Sequence, residues 1–419
     1  MSRVVREGRL AAALCVALLA TGCAGAAAPG WSSASAGSSA FARSSASATA
    51  SHIVSEVKVG FLEDLSQEGA ATRIAPAFQA AKMAFDMATL TADLHVEVEL
   101  VGFDTEGGAG TASEVARQIA EDPSYVAAIG APYLGEQGAV VEVLDDADVP
   151  FITLSGLDPG LAGSGWTSWR RAVPTQDREA ATLAGYVDSL RVARRGVCLA
   201  GDGSRVGATF LTALASSTTS RVLVRQRLAP TEESAAVFSE AVAASGCRVV
   251  VWGGFSAGAA ALERHLVGVG LGKVRFVADG GVKDATYLQV AARAGDGTVV
   301  SCPCADVSTS TDLAAQRFVQ DYQANYGLPP GSYAVEAWDV AHMLLGAFRS
   351  GVRTRVGALA YLQRMRSYQG LAGNYVFSAN GDLERRAATV YLYRDEGGRW
   401  LPLARSERSH YVAPAGEPS

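Results

Sequence analysis

The sequence predicts an α/β protein of two lobes, each a doubly wound parallel sheet. Three observations predict it. About 350 residues between 54 and 405 exceed what one hydrophobic core normally carries. Within them, short apolar runs alternate with helical patterns of about ten residues or more, as in parallel strands buried on both faces. After Arg170 the same alternation begins afresh, so the unit occurs twice.

The elements follow in order. Residues 57–61 predict a strand and 75–87 a helix, then 96–103 a strand and 111–121 a helix. A strand at 125–130, a helix over 135–147 and a strand at 150–153 complete the first series. The second series opens with a helix over 176–190, a strand at 196–200, a helix over 207–216 and a strand at 221–228. Residues 234–245 and 257–269 read as helices, and 248–253, 275–278 and 298–302 as strands. Three further helices are predicted near 311–326, 333–349 and 356–366, and the chain ends in strand-like runs at 388–394 and 400–405. Paired sheets of this kind place a ligand site in the crevice at the carboxyl ends of their strands.

Ahead of this body, Arg3, Arg6 and Arg9 precede an apolar run from 11 to 20 and the small residues Ala20, Thr21 and Gly22. That is the order of a cleavable secretory signal, and the apolar run is too short for a permanent membrane span. The small residues before Cys23 resemble a bacterial lipobox, although Ala20 stands where that motif favours leucine and Leu19 lies one place earlier. The resemblance implies that Cys23 is lipidated and becomes the mature N-terminus. An ordinary secretory signal with an incidental cysteine is the alternative. Residues 24–51 are almost wholly Ala, Ser and Gly with Arg43 as the lone charge, a composition that cannot offset its ordering entropy. As a flexible tether it would reach roughly 30 Å.

Composition narrows the partners. The chain is 49% hydrophobic and 19% charged, as in ordinary soluble proteins. The net charge is −6, and removing 1–22, with three arginines and one glutamate, leaves −8. An acidic chain without a basic stripe argues against a nucleic-acid partner. Setting aside Cys15 and Cys23 leaves Cys198, Cys247, Cys302 and Cys304. Export permits disulfides, and one is expected within the second lobe, with buried free thiols as the alternative. Cys302 and Cys304 stand too close to favour pairing with each other. The five histidines are scattered away from the cysteines, so no metal and no cofactor is expected.

Ordered segments along the body resemble the type I periplasmic binding proteins, the solute receptors of branched-chain amino acid and amide ABC importers. They are Gly130 to Tyr133, Val149 to Thr153, Asp158 with Pro159, and Trp169 to Pro174. Further matches are Gly201 with Asp202, Val251 to Phe255, Gly331 to Tyr333, and Trp338 with Asp339. The resemblance implies three hinge crossings, near 172–174, 304–306 and 377–380. It therefore divides the chain into a signal (1–22), a tether (23–53), an N-terminal lobe (54–172 with 306–377), a C-terminal lobe (173–305 with 378–406) and a tail (407–419). It implies an exported monomer, lipid-anchored on the outer face of the cytoplasmic membrane, that takes a small molecule to a membrane ABC permease.

Carried over residue by residue, the resemblance implies ligand contacts from Tyr133 and Leu134, from Ser155, Gly156 and Leu157, and from Phe255 and Tyr333. Leu157 replaces a carboxylate-gripping threonine, Val206 replaces a tyrosine, and Gly280 stands where an acid would hold the ligand ammonium, with Asp279 adjacent to substitute. A buried zwitterion needs opposed polar partners, so branched-chain amino acids are expected to bind weakly and the ligand is left open. Plain alternatives stand beside these roles: core aromatics for Phe255 and Tyr333, an N-cap for Asp279 and turn chemistry for Ser155.

Two near-motifs point to enzymes. Gly201, Gly203 and Gly207 follow a strand like a dinucleotide loop, but the last glycine is one position late. Gly254, Ser256 and Gly258 match a nucleophile elbow, with His342 or His410 as possible bases, but no oxyanion-loop signature precedes them. Ser256 is expected to be an N-cap instead, and no enzyme is predicted. A ligand-sensing receptor of the same fold is the principal alternative.

Overall fold

The computed structural model describes residues 55–66, 69–90 and 94–403. Cys23, the tether, the tail and His410 lie outside the described residues.

The first series comprises β1 (Ser55–Glu63), α1 (Ala70–Thr89), β2 (Val96–Asp104), α2 (Ala109–Glu121), β3 (Tyr125–Gly130), α3 (Gln137–Asp146), β4 (Phe151–Thr153) and β5 (Trp169–Arg171). The second runs α4 (Gln176–Ser189), β6 (Val197–Gly201), α5 (Arg205–Ser217), β7 (Val222–Arg227), α6 (Glu232–Ser245), β8 (Val249–Gly253) and α7 (Ser256–Gly268). It continues through β9 (Arg275–Ala278), α8 (Ala285–Ala291) and β10 (Val299–Cys302). Then follow α9 (Leu313–Tyr326), α10 (Ala334–Arg349), α11 (Arg355–Arg364), β11 (Tyr368–Gln369), β12 (Asn374–Tyr375), β13 (Tyr391–Asp395) and β14 (Trp400–Pro402).

Two sheets result. One is wholly parallel in the order β2-β1-β3-β4-β5. The other has the order β14-β13-β10-β9-β8-β6-β7, parallel except where β13 and β14 add antiparallel strands at its edge. The chain passes between the sheets three times, after β5, after β10, and between β12 and β13. Burial explains the strand sequences. Every residue of β3, β6 and β8 is buried, so these central strands are continuous apolar runs. Edge strand β2 instead alternates buried Val96 and Val98 with exposed Glu97 and Glu99.

Helix α1 begins five residues before its predicted start and carries Pro76 inside it. Standing in the second turn, Pro76 cannot donate to the Thr72 carbonyl, so the helix runs through with one interior bond missing. The face Ile74, Ala77, Ala81, Ala84 and Ala88 keeps the helical spacing and packs along α10. Strands β5, β11 and β12 escape prediction because their two or three residues, two of them arginines in β5, form no apolar run.

The cysteines correct one expectation. Cys198 pairs with Cys247, linking β6 to the segment before β8 within the second sheet. Cys302 also pairs with Cys304. Two extended residues would hold the Cα atoms roughly 7 Å apart. The chain bends at Pro303 and brings them to 5.0 Å, inside the range a disulfide spans.

Candidate functional site

The carboxyl ends of the two sheets face each other across a cleft. From the first sheet, the loop after β3 presents Tyr133 and the loop after β4 presents Ser155, Gly156 and Leu157. The residue preceding α10 adds Tyr333. From the second sheet, Asp279, Gly280 and Gly281 follow β9 and Pro303 follows β10, while α4 contributes Gln176 and Glu179 and α5 contributes Val206. Of the eight expected contacts, six therefore line one pocket. Leu134 is wholly buried and packs into the core of the first sheet. Phe255 borders the pocket, edge-on to Tyr133 at 5.7 Å, with the Arg73 guanidinium 3.7 Å above its ring.

Tyr133 and Tyr333 both hold left-handed backbone, with φ of 68° and 63°. Non-glycine residues adopt it at a cost of about 1–3 kcal/mol each, so surrounding contacts must fix them there. The rings meet edge to face at 5.5 Å, and the Tyr133 hydroxyl crosses the cleft to donate to the Gly280 carbonyl at 3.0 Å. Arg205 likewise crosses to Asp158 at 2.8 Å and Glu136 at 3.7 Å, and the Ser332 hydroxyl donates to the Lys283 carbonyl at 2.7 Å. The cleft is closed. The cavity left is about 20 Å³, room for roughly one water.

The Ser155 hydroxyl donates to the Leu134 carbonyl at 3.2 Å and accepts from Gln137 Nε2 and the Leu157 amide. It ties two loops together, which is the turn role weighed against ligand contact. Asp279 is also committed, accepting from the Gly254 amide at 3.0 Å and the Gly281 amide at 3.1 Å. It caps the 3-10 turn at Gly280–Val282, and burial followed by the neighbouring Glu179 pushes its carboxyl well above the usual range.

The acid in this pocket is Glu179. Its Oε1 accepts from the Gly280 amide at 2.8 Å and the Ser301 hydroxyl at 3.1 Å. Burial raises its pKa to about 7, against the pull of those two donors. A Cβ at position 280 would stand 3.1 Å from that oxygen and 3.3 Å from Cys302 Sγ, so an acid at 280 would not fit beside it. Sequence reasoning missed Glu179 and Gln176, although a signal existed. They continue, at helical spacing, the buried stripe of Ala180, Leu183, Ala184 and Val187. Polar residues on the buried face of a helix mark a site that needs them.

Comparison with known proteins agrees with this geometry. A family model described as periplasmic binding protein matches residues 56–398. The chain belongs to the periplasmic binding proteins. Among solved structures it is similar to the branched-chain amino acid transporter substrate binding protein LivJ of Streptococcus pneumoniae, in complex with isoleucine. The TM-score is 0.73 at 18% identity, covering 82% of this chain and 97% of that one. It is similar also to the leucine binding protein LivK of Thermotoga maritima, with TM-score 0.71 and 17% identity over 83% and 98% of the two chains. A solute binding protein of R. palustris in complex with benzoate gives 0.69 and 19% over 83% and 95%. No curated protein matches the chain.

The glycine-rich near-motifs have structural roles in this periplasmic binding protein. A Cβ on Gly207 would stand 2.2 Å from the Gly253 carbonyl oxygen, so these glycines let α5 approach β8. Ser256 is not an N-cap as expected. Phe255 holds that position, and the buried Ser256 hydroxyl donates to the Gly281 carbonyl at 3.3 Å. His342 directs Nδ1 to the Trp338 carbonyl, 3.0 Å away within its own helix. Among the described residues, no group of His, Cys, Asp or Glu is placed to hold a metal, and no helix is long and apolar enough to cross a membrane.

Proposed function

We propose that this chain is an extracytoplasmic solute-binding lipoprotein, which captures a small organic ligand between its lobes and delivers it to an ABC importer. One observation carries the reading: a single pocket is lined from the carboxyl ends of both sheets, with polar contacts bridging it. A site assembled from two bodies exists only while they are closed, which couples occupancy to a shape that a permease can read. The lobes are taken as 54–172 with 306–377 and 173–305 with 378–406, following the three crossings. Related solved structures hold isoleucine and benzoate, ligands of similar size and unlike charge, which supports capture of a small organic solute.

Calorimetry against amino acids, amides, amines and aromatic acids tests the function. Saturable binding of one of them is expected, and no binding across the panel contradicts it. Cys23 supplies the anchor, since two acyl chains suffice for stable membrane attachment. Replacing Cys23→Ala is expected to move the protein into the soluble exported fraction. A variant that stays with the membrane rules the anchor out.

A further inference from the structure

We propose that the cleft selects a small organic cation, held through its N–H groups by Glu179 and the Gln176 side-chain oxygen, in preference to an α-amino acid. The inference rests on the solute-binding reading and names the chemistry of that same pocket.

The second-lobe wall presents acceptors. Gln176, 4% exposed, donates through Nε2 to the Val206 carbonyl at 3.0 Å, which fixes the orientation of its amide. Its Oε1 is then buried without a hydrogen-bond partner. A buried acceptor in that state costs about 1–3 kcal/mol unless a donor reaches it. Glu179 lies one helical turn further along α4 on the same pocket wall. Its Oε1 serves Gly280 and Ser301, which leaves the second carboxylate oxygen for a ligand donor. Asp279 adds a second acid whose two oxygens are already used.

Among the described residues, no lysine, arginine or histidine lines the pocket. Arg73 lies outside the lining, stacks on Phe255 and faces Tyr133, Asp284, Asp202 and Asp64, and Arg205 is paired with Asp158 and Glu136. On the first-lobe wall the Ser155 hydroxyl is consumed by Leu134, Gln137 and Leu157. A ligand carboxylate would therefore be desolvated beside two acids, with the nearby Arg73 already engaged with Phe255 and three aspartates. An ammonium or guanidinium meets the opposite situation. It neutralises Glu179, donates to Gln176, and lies among the rings of Tyr133 and Tyr333.

A matched set of probes separates the alternatives. Isobutylamine, valine and isobutyrate share one branched apolar body and differ in the charged groups it carries. With the full chain, isobutylamine is expected to bind at least tenfold more tightly than valine, and isobutyrate more weakly still. Glu179→Gln keeps the size and one acceptor, and is expected to weaken isobutylamine at least tenfold while leaving the protein folded. The groups facing Glu179 are the Asp279 carboxyl, the Ser301 hydroxyl, the Gly280 amide and the Tyr133 and Tyr333 phenols. Both phenols titrate above neutral pH, and the amine stays charged up to about pH 10. Because Glu179 titrates at about 7, isobutylamine affinity should rise up to tenfold per pH unit below that point and level off above it. Glu179→Gln should flatten the profile, which a merely structural residue would not do. Valine or isobutyrate binding as tightly as isobutylamine overturns the cation assignment and leaves solute binding standing. An unaltered amine affinity in Glu179→Gln overturns it too, and failure of every solute in the wider panel removes both readings.

Discussion

Burial holds a set of carboxyl groups far from their ordinary titration. Glu63, Glu179 and Glu263 are raised to about 7, Glu336 to about 8 and Asp339 to about 6, each chiefly by desolvation. Between the ordinary carboxylate range and these values, the folded chain binds more protons than the unfolded one. Stability contributed by these groups is therefore greatest below about pH 5 and declines as pH rises toward 8. His342, lowered by burial, acts in the opposite sense, one group against many raised carboxyls. Thermal unfolding is expected to show a higher Tm at pH 5 than at pH 8, with a shallower slope in Glu263→Gln. A Tm that climbs over this range would refute the burial of these acids.

At the scale of elements, α5 packs closely on β8. A Cβ on Gly207 would lie 2.2 Å from the oxygen and 2.4 Å from the carbon of the Gly253 carbonyl, backbone that cannot rotate away. Gly207→Ala should destabilise the fold by about 1–3 kcal/mol. Gly110 in α2 has nothing within 4 Å of its virtual Cβ, so Gly110→Ala should be neutral or stabilising by up to about 1 kcal/mol. Equal denaturation midpoints for the two variants would contradict this packing. The long elements were legible in the sequence for the same physical reason. Strands β3, β6 and β8 are buried on both faces and must be apolar throughout, and their helices must show one buried stripe. The ribbon β11–β12 and strand β5 were not legible, because tertiary contacts rather than local pattern make two or three residues extended. Within the site, the places of Tyr133, Ser155, Gly156, Leu157, Asp279 and Tyr333 on the pocket wall were legible through the family resemblance that carried them over. Glu179 showed only as a polar residue on the buried stripe of α4, and its place beside Gly280 is set by the tertiary structure. The Cys302–Cys304 pair was hidden for a related reason, since only the bend at Pro303 brings the two together.

Across the whole molecule, the cleft is held shut by a few polar links together with the packing of Tyr133 and Arg73 against the Phe255 ring. Arg205, half exposed, spans to Asp158 and Glu136, an arrangement contributing about 0–1 kcal/mol in solvent. Tyr133 adds one hydrogen bond to Gly280, and Ser332 one to Lys283. Each hydrogen bond contributes about 1 kcal/mol net and each contact on the Phe255 ring roughly 0.5–2 kcal/mol, so closure rests on several small terms and a ligand favours it further by its own contacts. The chain passes between sheets in three short segments, the geometry in which small backbone changes turn two rigid bodies. Small-angle scattering with a ligand selected by calorimetry tests this most directly. The account predicts a smaller radius of gyration that saturates with the binding isotherm. A radius unchanged at full occupancy would contradict it.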